Sequence, residues 1–130
     1  MKCIIITLAL LGAHVLIAAQ SPLAHESEVP ALEWLTKTHD FGTISYRQPE
    51  TAEFVFINHS TNPVLIAQAK GSCGCTVTDY TKEAIAPGER GTIKATYNAA
   101  QPGAFNKTVS VTTSANQEVH VLRITGTVAD

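Results

Sequence analysis

Polar and apolar residues alternate with a period of two along much of this chain. Ile93, Ala95 and Tyr97 fall on one side of an extended segment, and Thr92, Lys94 and Thr96 fall on the other. Phe105, Val109 and Val111 repeat the pattern against Asn106, Thr108, Ser110 and Thr112, with Lys107 as the one break in the apolar row. Leu122, Ile124 and Val128 then oppose Arg123, Thr125 and Thr127. Side chains on a β-strand point to opposite faces in turn, so these stretches predict strands with one face buried and one in water. Phe54-Val55-Phe56-Ile57 and Val64-Leu65-Ile66-Ala67 are instead continuous apolar runs, which predict strands at the middle of the core.

Turn residues punctuate the pattern at the expected places. Pro87-Gly88 and Pro102-Gly103 each supply a fixed φ followed by a residue free to adopt a positive one. Asn62-Pro63 closes a loop, and Ala115-Asn116-Gln117 suits a tight connection. A first strand near Glu33 to His39 and a short one near Thr76 to Tyr80 bring the count to about seven. That number predicts an all-β, immunoglobulin-like β-sandwich, with an open barrel as the alternative.

The first 20 residues carry a different signal. Lys2 precedes a nearly unbroken apolar run from Ile4 to Ala19, and small residues follow at Ala18 and Ala19. This is the layout of an export signal, cut near Ala18 to Gln20, and it is short for a membrane span, which needs roughly 20 apolar residues. Residues 21–30 are polar and read as a flexible tether, and residues 31–130 read as one domain. The expected location is therefore the periplasm, the outer membrane or the outside of the cell. The mature form is expected to lack a membrane span.

Charge narrows the partners further. The chain has 9 Lys+Arg and 11 Asp+Glu; loss of Lys2 leaves eight against eleven, a net charge of −3. With no basic stripe to neutralise phosphates, nucleic acid is excluded as an expected partner. A protein partner in the cell envelope is the expectation that remains.

Candidate chemistry centres on Ser72-Cys73-Gly74-Cys75-Thr76. On a straight strand the two cysteine Cα atoms would lie about 6.6 Å apart, near the outer limit for a disulfide of about 6.8 Å. Gly74 lets the chain bend and bring the sulfurs together. A Cys73–Cys75 bond is feasible and labile, and an oxidising compartment favours it. Packed residues or a local disulfide are the leading reading; the alternatives are a metal site, with Cu(I) satisfied by few thiolates, and a thiol-redox site, and none of His39, His59 and His120 has a spacing that marks it as a third ligand. No cofactor is otherwise expected.

Catalytic constellations are missing from the sequence. It contains no nucleophile elbow, phosphate-cradling glycine loop or HExxH, so a non-enzymatic role is expected. Glu50 with Glu53, and Asp79 with Glu83, read as surface carboxylates. Asp40 after His39 reads as a turn former that bonds nearby backbone N–H groups, followed by an aromatic plug and bend at Phe41-Gly42. Asn58-His59-Ser60 and Asn106-Lys107-Thr108 match glycosylation acceptors.

Five segments together carry a family resemblance: His39-Asp40-Phe41-Gly42-Thr43-Ile44, Phe54-Val55-Phe56-Ile57-Asn58, Ser72-Cys73-Gly74-Cys75-Thr76, Pro87-Gly88-Glu89 and Leu122-Arg123-Ile124-Thr125-Gly126. The chain resembles the bacterial secreted proteins grouped as domain of unknown function 1573. That resemblance implies an immunoglobulin-like sandwich of the Hydin and major-sperm-protein type and a cell-envelope setting, and it implies no particular activity. After Ile44 the chain carries Arg47-Gln48-Pro49 where the family often has a glycine.

Overall fold

The computed structural model of the protein describes residues 30–130 and, ahead of them, residues 12, 13, 15, 17 and 18. The export signal and tether expected from the sequence lie almost wholly outside the described residues. Eight strands run through the described part: β1 (Leu32–Trp34), β2 (Thr38–Ser45), β3 (Glu50–Asn58), β4 (Ile66–Gly71), β5 (Thr76–Tyr80), β6 (Arg90–Tyr97), β7 (Gly103–Thr113) and β8 (His120–Ala129). They form two four-stranded sheets in the orders β1-β3-β6-β5 and β2-β8-β7-β4. The predicted immunoglobulin-like sandwich is what the chain builds.

One predicted strand becomes two. The segment near Glu33 to His39 breaks after Trp34: β1 pairs antiparallel with β3, whereas β2 crosses to the other sheet and runs parallel to β8. The eighth strand arises from this change of sheet. Within β2, the register shifts between Asp40 and Thr43, with Gly42 at φ 66° and its N–H bonded to Asp40 Oδ1 at 2.8 Å. The predicted turn chemistry of Asp40 thus makes a bulge inside a strand.

Alternation predicts the core well. Ala52, Phe54 and Phe56 of β3 face Ile93, Ala95 and Tyr97 of β6 and, from the opposite sheet, Phe105, Val109, Val111, Leu122, Ile124 and Val128, all buried. The run Val64-Leu65-Ile66-Ala67 corrects the expectation made for it. Val64 forms only an isolated bridge to Ile85, β4 starts at Ile66 on the edge of its sheet, and Leu65 is 48% exposed. Val64 and Ile66 are buried and Leu65 between them is not, because alternate side chains point to opposite faces and the outer face of a two-sheet sandwich meets water.

Glycines act at a few defined positions. Gly88 and Gly103 take positive φ in the two Pro-Gly turns, as expected. At Gly91 a Cβ would lie 2.4 Å from the Phe56 ring and 2.5 Å from Ile85, so the aromatic ring occupies the volume a side chain would fill. Arg47, with φ 57°, holds the left-handed conformation in the turn between β2 and β3.

Candidate functional site

The cysteine pair sits where the chain passes from one sheet to the other. β4 belongs to the sheet of β2, β7 and β8, β5 to that of β1, β3 and β6, and only residues 72–75 connect them. Cys73 and Cys75 lie in this crossover turn rather than on a strand, and a disulfide joins them with Cα atoms 5.2 Å apart. Gly71 makes the tight entry possible, since a Cβ there would meet the Thr76 carbonyl oxygen at 2.7 Å.

Bonds other than the disulfide hold the turn in place. Ser72 donates its N–H to the Thr108 carbonyl at 2.8 Å, and Ser72 Oγ accepts from the Thr108 N–H at 3.2 Å. Asn98 donates to the Cys75 carbonyl at 3.0 Å, and Thr76 donates to that of Cys73 at 3.3 Å. Across the gap between the sheets, Thr78 Oγ1 donates to the Ala69 carbonyl at 2.7 Å. The two sulfurs differ in setting. Cys75 packs against the hydrophobic core, while Cys73 Sγ lies 3.8 Å from the hydroxyl of buried Thr76.

β5, which leaves this turn, is an edge strand bonded only to β6. Its outward residues are Val77, 65% exposed, and Asp79. Asp79 stands opposite Lys94 of β6, which in turn stands opposite Glu53 of β3. These three charged residues help line a shallow depression of about 330 Å³ with Tyr80, Thr81 and Thr92. Lys82 lies over the Tyr80 ring, 3.2 Å from its centroid, and pairs with Asp79 at 3.8 Å.

The histidines do not gather around the sulfurs. His39 packs edge-on against Phe41 with centroids 4.6 Å apart, His59 pairs with Glu33, and His120 contacts Trp34. Among the described residues, no group of three or more His, Cys, Asp or Glu side chains is placed to hold one metal ion. Cys73 and Cys75 form the disulfide that their spacing allows, and among the described residues no third ligand joins them. His14 and His25 lie outside the described residues.

Two features were missed by sequence reasoning. His120 is a buried side chain, 5% exposed, whose Nδ1 accepts from Trp34 Nε1 at 3.2 Å and whose Nε2 is buried without a partner. Burial lowers its pKa, with Glu118 opposing and Lys37 reinforcing the shift. Extending the Leu122 and Ile124 alternation back by two residues would have placed it inward. The second is Asn58, wholly buried, whose Nδ2 donates to the carbonyls of Asn62 and Ile85 and whose Oδ1 accepts from the N–H and hydroxyl of Ser60. No local pattern separates that role from a glycosylation motif.

A family model described as "Protein of unknown function (DUF1573)" matches residues 32–128. No curated protein matches the chain. Among solved structures, a protein of unknown function from Porphyromonas gingivalis W83 is similar with a TM-score of 0.65 at 12% identity, over 75% of this chain and 46% of that one. The ASH/PapD-like domain 7 of human CEP192 superposes with a TM-score of 0.62 at 13% identity, over 77% and 86%. The VesB protease of Vibrio cholerae gives 0.59 at 13% identity, over 75% of this chain and only 32% of the protease. At such identities these likenesses establish the fold alone.

Proposed function

The chain belongs to the DUF1573 family, and on that premise we propose that it is an exported, non-catalytic immunoglobulin-like module of the cell envelope that docks a protein partner. The observation that carries this reading is the β5 edge. β5 is paired on one side only and presents Val77, 65% exposed, toward solvent. Open sheet edges are sites where an extended segment of another protein adds as a further strand, with side-chain contacts giving selectivity. The apolar run from Ile4 to Ala19 supports export, and the net negative charge argues for protein over nucleic acid.

Affinity capture from envelope extract tests the proposal. The wild-type domain is expected to retain a reproducible partner that a Val77→Lys variant loses, because a lysine on an edge strand opposes strand addition. Equal thermal midpoints for the two proteins would tie the loss to docking. Failure of the wild type to retain any partner, or equal retention by both, would overturn it. Cell fractionation checks export separately.

A further inference from the structure

We infer that Cys73 and Cys75 form a thiol–disulfide exchange site that takes electrons from a protein or peptide dithiol. Three observations carry this.

The first is redundancy. The disulfide encloses Gly74 alone, so it connects no distant parts of the fold, and three backbone hydrogen bonds of Ser72, Cys73, Cys75 and Thr76, with a fourth from Thr108 N–H to the Ser72 hydroxyl, already hold the turn. The second is access. Gly74 is exposed and a Cβ built there meets no atom within 4 Å, which leaves the face beside the sulfurs open to an incoming chain. Val77, just beyond on β5, adds an exposed apolar contact that suits a polypeptide better than a small thiol.

Asymmetry is the third. Cys75 packs against the core, whereas Cys73 has the Thr76 hydroxyl 3.8 Å from its sulfur. A hydroxyl pointed at a sulfur stabilises it as a thiolate, and the thiolate is both the nucleophile and the better leaving group in exchange.

The reaction balances without another cofactor. A thiolate of the partner attacks Cys73 Sγ, and the Cys73–Cys75 bond breaks with its electron pair passing to Cys75, which takes up a proton. The second partner thiol then loses its proton and attacks the partner sulfur of the mixed disulfide. Cys73 departs as a thiolate that accepts a hydrogen bond from Thr76. The partner gains a disulfide and loses two electrons and two protons; the cysteine pair gains both electrons and one proton at Cys75, and the second proton passes to solvent until the Cys73 thiolate takes one up.

The exported protein in its oxidised form, incubated with a reduced peptide carrying two cysteines, is expected to gain two hydrogens by mass as the peptide closes its disulfide. With the oxidised peptide, Cys75→Ser should trap a mixed disulfide through Cys73 about tenfold faster than Cys73→Ser does through Cys75, since reactivity follows thiolate character and exposure. In Cys75→Ser, adding Thr76→Val should move alkylation of Cys73 to higher pH. Circular dichroism of each variant verifies that it is folded. A pair that stays oxidised in the folded protein, trapping at equal rates through either cysteine, or a reduced protein that binds Cu(I) yet leaves the peptide unoxidised, would overturn the assignment.

Discussion

Trp34 on β1 and His120 on β8 are joined across the two sheets by an indole N–H···Nδ1 bond of 3.2 Å, 86 residues apart in the chain. Because Nδ1 accepts, the neutral ring carries its proton on Nε2, which is buried without a partner. Protonating Nδ1 would set two N–H groups against each other. Burial, reinforced by Lys37 and partly opposed by Glu118, lowers the pKa of His120 from 6.5, so folding favours the neutral ring. With the folded value below the unfolded one, the stabilisation is complete above about pH 6.5 and is lost as the pH falls from there through the folded value. The thermal midpoint is expected to drop between pH 7 and pH 5, and His120→Gln, which keeps an acceptor but does not titrate, should flatten that slope. A slope equal to wild type in the variant would refute it.

Phe56 and Gly91 make a reciprocal pair, the ring of one filling the space above the other. Phe56→Ala should cost about 3–5 kcal/mol through lost burial and the cavity left behind. Gly91→Ala should cost about 1–3 kcal/mol through overpacking. In the double variant Phe56→Ala/Gly91→Ala, the added methyl enters the vacated space, so its cost should be less than the sum of the two. Urea unfolding of the four proteins measures the coupling, and strict additivity would show that the ring and the glycine do not share that volume.

Asn58 is expected to be essential to the end of β3 and closed to modification. Truncation to Ala removes the donor shared by the Asn62 and Ile85 carbonyls, the latter keeping its bond from the Val64 N–H, and takes the acceptor from the Ser60 N–H, a cost of about 1–3 kcal/mol. Asn58→Asp should be at least as damaging at neutral pH, because it removes the donor and brings a charge to two carbonyl oxygens. Expressed in a host that glycosylates such motifs, the folded protein should carry no glycan at Asn58. Exposed Asn106, whose Oδ1 accepts from Arg123 at 2.7 Å, is the motif open to transfer. Peptide mass mapping decides between them.

These cases show which features a sequence can carry. Alternation in Ile93, Ala95 and Tyr97, or in Leu122 and Ile124, reports a local geometric rule, so their burial was legible, as were the positive φ values of Gly88 and Gly103. The cysteine pair was legible for the same reason, since its partners are two residues apart. Trp34 with His120 was not, because their meeting depends on how two sheets stack. Val64 to Ala67 misled, since an apolar run does not state whether a neighbour will cover both faces. Asn58 shows one local motif serving two roles that only burial separates.

If the crossover turn is held by its backbone bonds, the Cys73–Cys75 disulfide contributes little to the fold. Closing so short a ring removes little freedom from the unfolded chain, and the chain-entropy estimate is about 2 kcal/mol or less. That is small against the ~5–15 kcal/mol of a typical domain. The bonds from Ser72 to Thr108 and from Asn98 to Cys75 do not involve the sulfurs and should survive their replacement. Cys73→Ser/Cys75→Ser should therefore keep the β-rich circular dichroism of the wild type and unfold cooperatively, with its stability lowered by no more than that amount. Ser72→Pro, which removes the N–H donated to Thr108, should cost more than loss of the disulfide. Chemical unfolding of the two variants beside the wild type gives the order directly; collapse of the double serine variant would mean that the sulfurs, and not the backbone, hold the crossing between the sheets.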